Sequence, residues 1–190
     1  MSRELDLTQS KSRWTATVKL RRLLWAGFQP LFFLPPHRLL SPLRVLALRL
    51  FGAKIGPRVL IMGGVRIWMP WNLEIGELTA IGWNVEIYNF GRIRIGSSTV
   101  ISQYTYLCSA SHDHTHPHFP LIWKPIDIGS KCWIAAGAFI GPGVTIGEGS
   151  VIGARSVVTQ PMPEWTVCAG NPCRPLKPRT LSALQEDPAP

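Results

Sequence analysis

The chain has 190 residues, of which 46% are hydrophobic and only 16% charged, with a formal net charge of +9 and a pI near 10.0. That length suits one core with an appendage. The positive balance fits nucleic acid, an anionic membrane surface or a phosphate-bearing ligand. The first is not expected: the basic residues gather in 11–58 and 174–179, not in the dense phosphate-facing row that a duplex reader needs. Cys108, Cys132, Cys168 and Cys173 form no CxxC pair and follow no secretory signal, which reads as reduced thiols of a cytoplasmic protein.

Near the N-terminus, LLWAGFQPLFFLPP is broken by Pro30 and closed by Pro35 and Pro36, shorter than the roughly 20 apolar residues of a spanning helix. Two readings stay open. Trp25, Phe28, Phe32 and Phe33, with Lys19, Arg21, Arg22 and Arg38 nearby, resemble an interfacial segment that would touch a membrane through residues 14–38. Alternatively, the segment packs as a helix on the main domain or on a neighbouring subunit. Next, RLLSPLRVLALRLFGAKIG predicts a helix with Ser41 as N-cap, Pro42 at its first position and Gly52 at its end. Leu43, Leu46, Ala47 and Leu50 form its apolar face. It would cover the first coil of the repeat region that begins at Ile55, because an open β-edge templates aggregation.

From Ile55 the pattern changes. Ile55, Ile61, Ile67 and Leu73 are six apart, as are Ile75, Ile81, Ile87 and Ile93, then Ile95, Ile101 and Leu107. Two extra residues accompany each twenty. The register resumes at Ile128, Ile134, Ile140, Ile146, Ile152 and Val158. A period of six is neither the 3.6 of a helix nor the 2 of a strand. Small residues commonly follow the aliphatic one and permit a tight corner. Three short strands and three corners close a triangular turn of about eighteen residues, and turns stack about 4.8 Å apart with the isoleucines in ladders. The fold class is all-β, a parallel β-solenoid.

Residues 109–125 interrupt the register. A solenoid accepts insertions at corners, so this loop stands out from the prism and can reach a neighbouring subunit; long loops in compact folds are often functional. His112, His114, His116 and His118 alternate in it, as strand-borne metal ligands would. Pro117 disfavours a regular strand, and no nearby Cys or Glu completes a ligand set. No metal is expected. Toward the C-terminus the prolines from Pro161 to Pro178 exclude a long helix, and LSALQEDPAP reads as a short frayed tail.

The register over Ile55 to Pro163, with IDIGSKCWIAAGAFIGPGVTIGEGSVIGARSVVT and VCAGNPCRPLKPR, resembles the hexapeptide-repeat acyltransferases. Their β-helix is left-handed, a handedness implied by the resemblance alone. IYNFGRIRIGSSTVISQYTYLCSASHD is similar to sugar O-acetyltransferases of the maltose-galactoside type and, more finely, of the colanic-acid-biosynthesis type. The resemblance implies three parts: a basic, aromatic helical cap over 1–54, a β-helix acyltransferase domain over 55–163 with the protruding loop 109–125, and a coenzyme A-contacting extension over 164–190. It further implies transfer of an acetyl group from acetyl-CoA to a hydroxyl of a sugar or lipid-linked sugar, in extracellular or surface polysaccharide biosynthesis. The assembly implied is a cytoplasmic homotrimer, with the N-terminal segment as its candidate contact to the inner membrane face.

The same resemblance assigns residues. The triplet ASH places His112 at the catalytic histidine, a general base for the acceptor hydroxyl; an imidazole titrates close to neutrality and suits that role. Asp113 either orients an imidazole or caps the loop. The Ala136 N–H would receive the oxyanion. Trp133, Ala136 and Ala154 would line the pantetheine groove, though Trp133 could equally pack between subunits. Arg174 and Lys177 match phosphate contacts, and Thr159 and Gln160 stand where relatives often carry Thr-Lys, so one cation is missing. Relatives often have an acceptor-binding Asn where this chain has Gly82, which leaves Asn84, Tyr88 and Asn89 as the acceptor candidates. His114, His116 and His118 are solvated loop residues or acceptor contacts. Two other classes stay in view: a metal-dependent carbonic-anhydrase-like lyase on the same fold, and a non-catalytic β-helical scaffold.

Overall fold

The computed structural model describes residues 14–182 and turns each hexad into a strand of two or three residues followed by a corner. One sheet stacks β1 (Lys54–Ile55), β4 (Leu73–Ile75), β7 (Ile93–Ile95), β12 (Ile126–Ile128) and β15 (Thr145–Ile146). A second stacks β2 (Leu60–Ile61), β5 (Ala80–Ile81), β8 (Val100–Ile101), β13 (Trp133–Ile134), β16 (Val151–Ile152) and β18 (Thr166–Gly170), with β19 (Cys173–Pro178) antiparallel at its edge. The third stacks β3 (Arg66–Ile67), β6 (Glu86–Tyr88), β9 (Tyr106–Cys108), β14 (Phe139–Ile140) and β17 (Val157–Val158). All pairings within these stacks are parallel, apart from that last strand.

The hexad aliphatics fall in register. Ile81 pairs with Ile101, Ile101 with Ile134, and Ile134 with Ile152, in one fully buried column. Ile55, Ile75, Ile95, Ile128 and Ile146 form the second column, and Ile67, Ile87, Leu107, Ile140 and Val158 the third. These columns are the core, and each stacked coil buries the same side-chain type because the backbone repeats where the sequence does.

The surplus residues are confined to one corner, between the third sheet and the first. The first two coils take twenty residues (55 to 75 and 75 to 95), whereas a later coil takes eighteen (128 to 146). At that corner the first coil carries a 3-10 turn, Pro70–Asn72, and the second carries Asn89 and Phe90 directly after β6. The third coil expands the same corner into a hairpin of β10 (Ala110–His112) and β11 (Leu121–Trp123). The interruption is therefore not a plain loop. Its base is antiparallel β-structure, and only His112 of the four alternating histidines lies on a strand.

Two helices, α1 (Ala16–Phe33) and α2 (Ser41–Leu50), meet the unpaired edge of the first coil with side chains. On β3, Ile67 N donates to Gln29 Oε1 (2.7 Å), and Ile67 O accepts from Trp25 Nε1 (2.6 Å). On β2, Ile61 N donates to Ser41 Oγ (2.9 Å), and Ile61 O accepts from Arg44 Nη1 (2.9 Å). On β1, Ile55 O accepts from Arg49 Nη2 (2.8 Å). The outward N–H and C=O of Ile61 and Ile67 and the outward C=O of Ile55 are thus satisfied, which also denies them to another chain.

That requirement rotates α2 away from the expected face. Ser41, Arg44, Val45, Ala47 and Leu48 are buried, while Leu43, Leu46 and Leu50 are exposed. Arg44 is the reason: its guanidinium donates to Phe32 O (2.9 Å) and Pro35 O (2.5 Å) as well as to Ile61 O, and an apolar side chain could serve none of these. Burial holds its pKa below the usual arginine value. Ser41 is the first helical residue and caps the solenoid edge, not its own helix; Gly52 closes the helix with a φ of +95°. In α1 the aromatics face inward. Trp25 and Phe33 are buried, and Phe28 and Phe32 pack on the core. The four cysteines are buried and unbonded to one another. The tail LSALQEDPAP, like the first thirteen residues of the N-terminal cap, lies largely or wholly outside the described residues.

Candidate active site

The hairpin that carries His112 is anchored at its root. Ser109 is fully buried, and its Oγ accepts from Gly91 N (2.9 Å) and contacts Tyr88 O (3.0 Å) one coil below. Across the hairpin, Lys124 N donates to Ser109 O (2.9 Å). A Cβ at Gly91 would press on Lys124 O at 3.0 Å, so the coil and the hairpin approach closely only because this residue is glycine. Aromatic rings fill the same corner: Trp68 meets Tyr88 edge-on (5.0 Å between centroids), Tyr88 meets Phe90 (4.4 Å), and Trp14 stacks on Trp123 of β11 (5.3 Å).

His112 ends β10 with its ring exposed. Its Nδ1 lies 2.6 Å from the carbonyl oxygen of Phe119, across the hairpin tip. A carbonyl only accepts, so Nδ1 carries the hydrogen and Nε2 presents a lone pair. Asp113 does not hold this ring. Its Oδ1 accepts from Thr115 N (3.0 Å) and Thr115 Oγ1 (2.6 Å), the geometry of a loop cap. The Thr115 hydroxyl and then its amide hold the carboxyl below the usual carboxylate range, with His116 and His114 adding smaller effects. Of the two readings of Asp113, the capping one describes its contacts.

His116 and His118 stand with ring centroids 5.1 Å apart, and His116 Nδ1 accepts from His118 N. Among the described residues, no three His, Cys, Asp or Glu side chains converge as a metal would require.

The remaining candidates fall on two different corners. Tyr88, Asn89, Thr159 and Gln160 share the corner of His112, between the third sheet and the first. Asn84, Ala136 and Ala154 lie on the corner between the second sheet and the third. Trp133 stands on the adjoining face of the second sheet, with Arg174 and Lys177 on the strand that borders it. Trp133 is about half exposed, and its Nε1 donates to Ser102 Oγ (3.0 Å), which ties the indole to the neighbouring coil. Ala136 O accepts from Arg155 N (2.9 Å), while the Ala136 amide donates to no acceptor among the described residues. Ala154, Arg174 and Lys177 are exposed. One whole sheet of the prism separates His112 from Ala136, so a single chain does not bring the two together.

Two acceptor candidates have structural work. Asn89 is fully buried; its Oδ1 accepts from Met69 N (2.9 Å) and its Nδ2 donates to Met69 O (2.6 Å), which ties the expanded corner to the coil below. Asn84 sits in the left-handed region (φ 54°), and a Cβ at Gly64 would collide with its Oδ1. Tyr88 stays partly exposed, and its phenol is pushed up, first by burial and then by Cys108, so it remains a hydrogen-bond donor at neutral pH. The reading from sequence missed Ser109 and the carbonyl of Phe119. Ser109 shows no signal beyond its place at the start of the interruption, and a backbone acceptor has none.

Stacked hexads, helices over the open end and a histidine hairpin at one expanded corner define a β-helix transferase architecture. The family model of the bacterial transferase hexapeptide (six repeats) matches residues 125–160. A curated relative, "Putative colanic acid biosynthesis acetyltransferase WcaF" of Escherichia coli (strain K12), is 46% identical over 156 residues, covering 82% of this chain and 86% of its own. Among solved structures, galactoside acetyltransferase in complex with coenzyme A is 27% identical with a TM-score of 0.81, covering 92% of this chain and 89% of that one. A hexapeptide-repeat acetyltransferase of Vibrio cholerae O1 biovar eltor, complexed with acetyl-coenzyme A, is 28% identical at the same TM-score, covering 89% and 92%. The solenoid thus matches the left-handed β-helix of the acetyltransferases, and the chain belongs to the hexapeptide-repeat acetyltransferases.

Proposed function

We propose that the protein transfers an acetyl group from acetyl-CoA to a hydroxyl of a sugar or lipid-linked sugar in surface or extracellular polysaccharide assembly, with His112 as general base. The observation that carries this reading is the exposed ring whose Nδ1 is engaged by Phe119 O, leaving Nε2 free for a proton. The hydroxyl proton passes to Nε2 as its oxygen attacks the thioester carbonyl. The tetrahedral oxyanion is met by the Ala136 N–H, the C–S bond breaks, and the imidazolium returns the proton to the departing thiolate. Trp133 and Ala154 line the pantetheine path, Arg174 and Lys177 meet the phosphates, and Tyr88 donates to the acceptor. Thr159 and Gln160 border the donor from the edge that bears His112.

Because His112 and Ala136 occupy different corners, the reaction needs the corner of one copy to face the other corner of a second copy. Head-to-tail contacts close in rings or run on as filaments, and the ring of three that the family likeness implies is the closure proposed here. The bound coenzyme in both solved relatives and the polysaccharide role in the relative's name support the substrates. The test is release of free thiol from acetyl-CoA against sugars, nucleotide sugars and lipid-linked sugars. His112→Ala is expected to lower acceptor-dependent release by about 10²–10⁴-fold with an unchanged melting temperature; release at the wild-type rate would overturn the assignment.

A further inference from the structure

The helical cap has a second apolar face that no packing in the structure explains. Leu20, Leu23, Leu24, Leu31 and Leu34 recur at helical spacing on the side of α1 opposite Trp25, with Leu23, Leu31 and Leu34 at 71%, 68% and 74% exposure. On α2 the same holds for Leu43, Leu46 and Leu50, opposite Arg44 and Leu48. Leu39, between the helices, is 90% exposed. Since Trp25, Gln29, Ser41 and Arg44 bond the edge strands of the first coil, the inner faces of both helices look at the solenoid. Their leucine faces therefore look away from that end of the prism.

The charge around this face is one-sided. Between residues 14 and 73 there are nine Lys or Arg and no Asp or Glu. Lys54, Arg58 and Arg66, on the solenoid side, pair with Glu74, Glu77 and Glu86. Lys19 and Arg38, on or beside α1, have no carboxylate within ion-pair distance among the described residues, whereas the guanidiniums of Arg21 and Arg22 turn to the solenoid side, over Trp71 (4.2 Å) and Phe90 (5.2 Å). Lys19 and Arg22, with Arg66 and Trp68, also line a cavity of about 430 Å3 beside α1. No helix among the described residues is long and apolar enough to cross a membrane.

From this combination we infer that the outer leucine face of α1 and α2 docks on the surface of an anionic lipid bilayer, lying in the interface without spanning it. An apolar stripe bordered by unneutralised cations suits acyl chains beneath negative headgroups. A second copy of the chain is the poorer occupant, because a face-to-face contact would bring two uncompensated positive rims together. The aromatics singled out in the sequence are not the anchors; they hold the helix to the prism, which frees the leucines to be. The inference rests on the proposed lipid-linked acceptor only for its purpose, and its test is independent of catalysis.

The test is flotation of the full chain with vesicles of phosphatidylethanolamine and phosphatidylglycerol, against vesicles of phosphatidylcholine alone. The protein should float with the anionic vesicles and lose most of that binding in high salt. Leu23→Gln with Leu31→Gln should lower the partition by at least about tenfold, and Lys19→Gln or Arg38→Gln by about fivefold each. None of these changes should alter thiol release with a soluble acceptor or the melting temperature. Equal binding by the double leucine variant, or no binding to anionic vesicles, overturns the inference. So does a change in sedimentation coefficient of that variant in the absence of lipid, which would assign the face to contact between copies. Loss of thiol release in every variant and in wild type would instead count against the proposed reaction and leave the flotation result standing.

Discussion

A single backbone carbonyl decides what His112 can do. With Nδ1 held by Phe119 O, the neutral ring has one tautomer, and nitrogen NMR of the labelled protein should show the Nδ1–H form for His112. The Nε2–H form would overturn the proposed role of His112 as base. Asp113 makes the opposite case, a charged neighbour whose work is local. Asp113→Asn keeps an oxygen for Thr115 and should leave turnover within roughly twofold, whereas Asp113→Ala should loosen the tip and lower it further. Because the folded carboxyl lies below its unfolded value, its contribution to the turn is present above the ordinary carboxylate range and is lost as pH falls through the folded pKa. The Thr115 amide signal should move in that acid window; a signal unchanged there would break the assignment. The triplet ASH made His112 legible in the sequence. The partner of its ring was not, because a carbonyl seven residues away becomes a neighbour only when the hairpin folds.

At the scale of elements, the solenoid's open end determines how the helices sit. Arg44→Met retains an apolar stem but leaves the carbonyls of Phe32, Ile61 and Pro35 without their donor. We expect a loss of about 3 kcal/mol and a melting temperature lower by about 10 °C, read by calorimetry. Leu46→Gln on the exposed face should cost less than about 0.5 kcal/mol. Equal effects of the two would contradict the orientation of α2. Periodicity places the leucines of α2 inward, which is the ordinary outcome for an amphipathic helix. It fails here because an unpaired β-edge places a stronger demand on a helix than apolar burial does, and backbone carbonyls are invisible to a hydropathy pattern. The hairpin was hidden for a related reason: Pro117 disfavours a strand, yet it falls in the tip, and the paired segments on either side are only three residues each.

For the whole molecule, the separation of His112 from Ala136 gives the sharpest prediction. Co-expression of His112→Ala with Ala136→Phe, each inactive alone, should restore about a quarter of wild-type turnover, because in random trimers that fraction of clefts joins two intact edges. No restoration would mean that the site is not shared between copies. Extensive dialysis against a chelator should leave turnover unchanged, and loss reversed by zinc would favour the lyase reading. The hexad spacing by itself determined the solenoid, its three aliphatic columns and the position of the interruption, because a strict repeat of six leaves the backbone one way to bury every isoleucine. Motif likeness marked the candidate histidine and the proposed donor-binding residues one at a time. Only the tertiary structure decided how they are grouped: which corner each residue occupies depends on the accumulated turn of the prism, including two surplus residues per early coil, and no local pattern carries that sum. The outward leucines belong to the same category, since their exposure follows from what the other side of each helix must bond.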